Sequence, residues 1–305
     1  MVTHGSCRYN TQMSIGFSFG LIAHPSLRPA TFQPMHSNKQ ADLERNAEHL
    51  LLSPLINVIF SIGPLATYTL HKISNRLSIK KLVLFAGVTN PIELGIIKSY
   101  TEPSNFCGIL DEFTLHDRFN AFFNLFPDAK NVVLLYDPSQ THIVFEKDNI
   151  RVRNFLTEKG LNVIDMPISL RTSIQNGLEA TLESLQSVST KTVIVAMPDT
   201  YIMSSVESIA RSAQKYAIPL YSFDTEAAKE GIVSCASGID SNQLGAYVSD
   251  RIMPLLHEGP AKVGLSEKYT LPPITIVSTL LLPQLSAAAQ EWCMKHADLI
   301  AVPFQ

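Results

Sequence analysis

Short apolar runs rich in β-branched residues alternate along this chain with helix-length amphipathic segments. No other feature restricts the fold as much, because this is the pattern of βα units that build parallel sheets. The runs expected as strands are Ile15–Ala23, Val58–Ile62, Leu82–Ala86, Asn131–Tyr136, Asn162–Pro167, Thr192–Met197, Pro219–Phe223 and Gly231–Ala236. Between them, Ala41–Leu52, Phe119–Phe126, Phe145–Lys159, Ile174–Gln186, Ser204–Tyr216 and Gln243–His257 carry apolar positions three and four apart and are expected helices. Lys159-Gly160 closes one of them, since glycine takes the left-handed conformation that ends a helix. The expected class is α/β.

With 305 residues the chain exceeds the usual size of one hydrophobic core, so two lobes are expected. Hydrophobic residues make up 46% and charged residues 17%, which describes a folded globular chain rather than a disordered one. The formal net charge is −3 and no Lys/Arg stripe is present, so nucleic acid is not an expected partner. Cys7, Cys107, Cys235 and Cys293 are scattered without a Cys-x-x-Cys pair; neither a metal site nor a disulfide framework is expected. The apolar run Ile274 to Leu282 is too short to span a bilayer. Met1 to Gln12 is polar, and no signal peptide is visible before the apolar stretch from Ile15.

Polar residues gather where strands end. The run Leu82–Ala86 continues through Gly87-Val88 into Thr89-Asn90-Pro91, followed by Gly95 and Asn105-Phe106-Cys107-Gly108. Ser61-Ile62-Gly63-Pro64-Leu65-Ala66-Thr67 follows a strand and opens a helix, whose free N–H groups and positive dipole end suit a carboxylate; an ordinary strand-to-helix turn is the other reading. Asp199-Thr200 and Asp224-Thr225 follow two further strands, at the edge where open α/β sheets bind ligands. Each Asp taken singly also reads as a helix N-cap. His-Glu-x-x-His, a phosphate-binding Gly-rich loop and Gly-x-Gly-x-x-Gly are missing, and His116-Asp117 reads as a polar helix start.

These segments resemble the substrate-binding proteins of bacterial ABC importers, in the branch associated with tryptophan and tyrosine uptake. The resemblance rests on Thr89-Asn90-Pro91, Gly63-Pro64-Leu65-Ala66, Pro198-Asp199-Thr200, Asp224, Gly238-Ile239-Asp240 with Leu244-Gly245, and His24-Pro25-Ser26-Leu27. Ala23, Arg28, Asn90 and Ser241 depart from the family pattern. It implies a two-lobed periplasmic-binding-protein-like fold, each lobe a parallel sheet flanked by helices. The lobes would be 14–108 plus 240–271, and 109–239 plus 272–305, with crossings near Cys107-Gly108, Gly238-Ile239-Asp240 and Pro272-Pro273. The segment from Arg28 to Asn38 is shorter than that pattern, so the first lobe is expected to lack its first helix and to expose one sheet face.

What the resemblance implies functionally is a small-molecule ligand, an aromatic or other apolar amino acid, enclosed in a cleft between lobes. Its ligand-binding residues would be Gly63, Pro64, Ala66, Thr67, Thr89, Asn90, Asp199, Thr200, Asp224 and Ser241. Gly63–Thr67 would hold the carboxylate and Asp199 or Asp224 the ammonium group, with Phe19, Phe85, Tyr201 and Phe223 as stacking candidates. An ABC permease would be the partner, and the protein a monomer, periplasmic or lipid-anchored, without cofactor, metal or catalysis. Two alternatives stand beside it: a sensor or scaffold descended from a binding protein, and an α/β enzyme using Asp199 and Asp224 as an acid–base pair.

Overall fold

A computed structural model of the chain describes residues 2–4, 11–13, 15, 17, 35–37, 40–56, 58–110, 113–137, 145–168, 174–185, 191–198, 200–257, 266–268 and 272–301. The chain divides into two compact units, Met1–Glu112 with Ser241–Leu271, and Phe113–Asp240 with Pro272–Gln305.

The first unit is built on β1 (Val2–His4), β2 (Met35–Ser37), β3 (Val58–Ile62), β4 (Leu82–Val88), β5 (Phe106–Leu110) and β11 (Glu267–Lys268). They form one sheet in the order β11-β5-β4-β3-β1-β2, with every pairing parallel. Helices α1 (Gln40–Leu52), α2 (Pro64–Leu77) and α9 (Ser241–His257) accompany it. All of β4 but Gly87 is buried. Continuous rather than alternating burial marks a parallel strand covered on both faces.

Two expectations for this unit are corrected. The first strand is Val2–His4, inserted between β2 and β3, and not Ile15–Ala23. Thr11, Gln12, Met13, Ile15 and Phe17 are helical instead, while 18–23 lie outside the described residues. The unit therefore does not lack its first helical segment. Met13 and Phe17, four residues apart on one helical face, are 0% and 5% exposed, and Phe17 stacks on Phe60 of β3 with ring centroids 4.0 Å apart. Helix α9 closes on the same segment: a Cβ added at Gly245 would lie 2.1 Å from the Met13 carbonyl oxygen and 2.7 Å from the Phe17 nitrogen.

The second unit carries a seven-stranded sheet in the order β13-β12-β10-β9-β8-β6-β7. Its strands are β6 (Asn131–Tyr136), β7 (Asn162–Pro167), β8 (Thr192–Ala196), β9 (Leu220–Ser222), β10 (Cys235–Gly238), β12 (Ile274–Ser278) and β13 (Asp298–Ile300). Among the described strands only β10 and β12 pair antiparallel. Helices α3 (Leu115–Leu125), α4 (Phe145–Glu158), α5 (Ile174–Ser184), α6 (Thr200–Ser204), α7 (Val206–Lys215), α8 (Thr225–Lys229) and α10 (Ala287–His296) complete it. One apolar layer gathers around Phe119, Phe122 and Tyr221, the other around Leu178, Ile202 and Ile209. Helix α3 begins at Leu115, four residues before the apolar periodicity from Phe119, because Thr114 and Asp117 form a reciprocal capping box.

Candidate functional site

In the first unit the candidate residues collect at the carboxyl ends of β3 and β4, neighbouring strands in which Ile62 pairs with Ala86. Gly63 donates its N–H to the Ala86 carbonyl at 2.9 Å and turns the chain into α2 with φ 82°. That positive φ favours glycine, and open space surrounds the position a Cβ would take. The start of α2 has no side-chain cap, no acidic residue in its first turn, and a proline without N–H as its first residue. Leu65 and Ala66 supply the N–H donors there, at the positive end of the helix dipole.

Two buried hydroxyls hold this turn. Thr67 Oγ1 donates to the Gly63 carbonyl at 2.8 Å and lies 2.9 Å from Ser61 Oγ. A hydroxyl has one hydrogen, so Thr67 accepts from Ser61 and the relay runs from Ser61 through Thr67 to Gly63. Ala66 and Thr67 are fully buried, while Gly63 and Pro64 are half-buried. Across the edge, Thr89 and Asn90 are half-buried, and Asn90 has φ 50°, a left-handed conformation that asparagine tolerates better than most residues. Ser241, fully buried, opens α9, and α9 packs on β4.

In the second unit Thr200 and Asp224 follow the adjacent strands β8 and β9. Asp199 lies outside the described residues. Asp224 is the N-cap of α8: its Oδ1 accepts from the N–H groups of Glu226 at 3.2 Å and Ala227 at 3.1 Å, and its own N–H donates to Ser222 Oγ at 3.0 Å. A buried carboxylate on this edge was absent from the expectations. Asp137, 1% exposed, directly follows β6. Leu135, Ala196 and Ser222 form one row across β6, β8 and β9, and Asp137 and Asp224 each follow their row residue by two positions. Its signal in the sequence is an acid that closes a strand run before a proline, Tyr136-Asp137-Pro138.

Among the stacking candidates, Phe85 is fully buried inside β4, and Phe223 packs edge-on against Phe119 with centroids 5.5 Å apart, so both are core residues. Tyr201 is half-buried against the second apolar layer, and Phe19 lies outside the described residues. Burial pushes the Tyr221 hydroxyl to higher pKa, and it donates to the Arg118 carbonyl at 3.0 Å. Cys107, Cys235 and Cys293 are buried thiols, and burial pushes the Cys235 thiol up.

Gly16-Phe17-Ser18-Phe19-Gly20 has the Gly-x-Ser-x-Gly spacing that bears a nucleophilic serine on a strand-to-helix turn. Here the described residues leading into it are helical, so the strand that chemistry requires does not precede it. Among the described residues no His, Cys, Asp and Glu cluster is placed to hold a metal ion, and no helix is long and apolar enough to cross a membrane.

Two α/β units with polar residues at the carboxyl edges of their sheets are the architecture that the sequence resemblance implies. The chain belongs to the ABC transporter substrate binding protein family, whose profile matches residues 31–284. It resembles the tyrosine-binding protein of Clostridioides difficile at 22% identity over 175 residues, 57% of this chain. That match spans 48% of the relative, about half its length. A Streptococcus pneumoniae ABC domain in complex with L-Trp superimposes with a TM-score of 0.78 at 17% identity, covering 98% of this chain and 97% of the other. A ligand-free, open substrate-binding protein with adhesive properties from Clostridium difficile gives 0.66 at 16% identity, with 98% and 97% covered.

Proposed function

We propose that this protein is the solute receptor of an ABC importer and binds an aromatic or other apolar amino acid. The family match over residues 31–284 carries the reading. The tyrosine and L-Trp named for two similar proteins support the ligand class. The start of α2 supplies the chemistry for the ligand's carboxylate, because backbone N–H groups and the helix dipole favour an anion where no side chain already caps them. Thr67 and Ser61 keep that turn in place from below, and Thr89 and Asn90 border it. Asp199, Thr200 and Asp224, with Asp137 added, supply the carboxylate-rich edge for the ammonium group, and Ser241 contributes a hydroxyl. The protein acts by binding without turnover, outside the cytoplasmic membrane, as a monomer that delivers its ligand to a permease.

Calorimetry with a panel of L-amino acids and with L-tryptophanamide tests this. An aromatic or apolar amino acid should bind, and the amide, lacking the carboxylate, should bind about tenfold or more weakly, a difference of ~1.4 kcal/mol. Asp199→Ala should cost about 2–5 kcal/mol, roughly 30-fold or more in affinity. If no amino acid binds the wild type, or if the amide binds as tightly as the acid, the reading fails.

A further inference from the structure

Two side chains of α8 that the proposed site does not use reach toward the point where the chain leaves the second unit. Thr225 Oγ1 donates to the Ile239 carbonyl at 3.0 Å, and both groups are buried. Lys229 Nζ donates to Asp240 Oδ2 at 3.1 Å and to Glu226 Oε1 at 3.0 Å, bridging the helix to the residue just before the unit boundary at Asp240 and Ser241. Burial draws the Lys229 ammonium toward lower pKa, but its hydrogen bonds to Glu226 and Asp240 outweigh this and leave it raised.

A third contact is steric. Gly238 pairs with Ile274 as the last residue of β10, and a Cβ there would lie 2.8 Å from the Phe223 carbonyl oxygen and 3.6 Å from Thr225 Cγ2. Gly238 is not among the glycines with positive φ. Its missing side chain therefore serves close approach to the Phe223–Thr225 turn and not backbone freedom.

We infer that Thr225 and Lys229 clamp residues 238–240 onto α8, so that the backbone freedom of this crossing begins at the Asp240–Ser241 junction and excludes the Gly238-Ile239 step. The clamp holds whatever ligand the protein takes. Its effect is preorganisation: α8, which Asp224 caps, and the departing chain behave as one body, and fewer backbone states remain to be lost on binding.

Hydrogen exchange on the ligand-free full chain, read by mass spectrometry, tests the clamp. In the wild type, Ile239 and Asp240 should exchange nearly as slowly as β10. Lys229→Met, and separately the near-isosteric Thr225→Val, should each speed exchange at 239–240 by about tenfold while β6 and β8 stay unchanged. Lys229→Arg should restore protection, since its guanidinium can span the same two carboxylates. Wild-type exchange at 239–240 as fast as exposed amides would overturn the inference. So would unchanged exchange in both variants, or a uniform rise that includes β6 and β8, which marks a general loss of stability. Should Lys229→Met not fold, Thr225→Val decides alone.

Discussion

Asp224→Ala removes one side-chain oxygen that accepts from two backbone N–H groups, those of Glu226 and Ala227. Those residues are 6% and 0% exposed, so water does not replace the lost acceptor. Loss of an N-cap typically costs about 0.5–2 kcal/mol, and leaving buried donors unsatisfied costs about 1–3 kcal/mol each, so we expect ~2–4 kcal/mol here. For a unit of this size that lowers the melting temperature by roughly 5–15 °C. Asp224→Asn keeps an acceptor oxygen and should cost less than about 1 kcal/mol. Urea unfolding of ligand-free protein, followed by circular dichroism, measures all three forms. Equal midpoints for Ala and wild type, or an Asn variant as damaged as Ala, would show that the cap does not hold α8. The pair also separates roles, because a ligand that needs the negative charge loses affinity in the Asn variant while the fold keeps its stability.

Gly245→Ala should destabilise the first unit by about 1–3 kcal/mol, because the new methyl group would meet the Met13 carbonyl oxygen at 2.1 Å. Hydrogen exchange at 11–17 and in α9 should quicken together; no change would mean that the helical residues near Met13 do not pack there. Lys229 has a folded pKa raised above its ordinary 10.5, so its stabilising contribution is complete below that value and is lost as pH rises through the higher folded one. The stability gap between wild type and Lys229→Met should therefore stay flat from neutral pH to about 10 and narrow above it, whereas a gap that widens there contradicts the assignment.

The central strands were legible because burial on both faces makes each a run of Val, Ile and Leu, and β6 begins and ends where the pattern puts it; the edge strand β7 keeps its expected bounds although it is only partly buried. Val2–His4 gives no such run: a three-residue strand with Thr and His is held by pairing with β2 and β3 and not by its own composition. Ile15–Ala23 misled because aromatic and aliphatic residues suit a strand as well as a helix, although Met13 and Phe17 already stood at helical spacing. Cys107-Gly108, expected near a crossing between lobes, stands inside β5, with Gly108 opposite Phe85, where a Cβ would lie 2.0 Å from the Phe85 carbonyl oxygen. At the site, strand-end polarity located the edges but did not tell a cap from a contact. Asp224 follows the cap reading through its Oδ1, which accepts from the Glu226 and Ala227 N–H groups.

Neither unit is a continuous piece of chain, since each is completed by a segment that follows a visit to the other. The second sheet receives β12 and β13 only from the last part of the sequence, and the first receives α9 and β11 after most of the second has been made. During synthesis both sheets therefore wait, with an open edge or an uncovered face, for residues still to emerge, and folding dominated by such distant pairings is slow. A single cut cannot release either unit intact. Isolating one would require rejoining its two segments with a new linker, and a chain stopped before Pro272 would leave β10 with an exposed edge able to recruit a strand from a second copy.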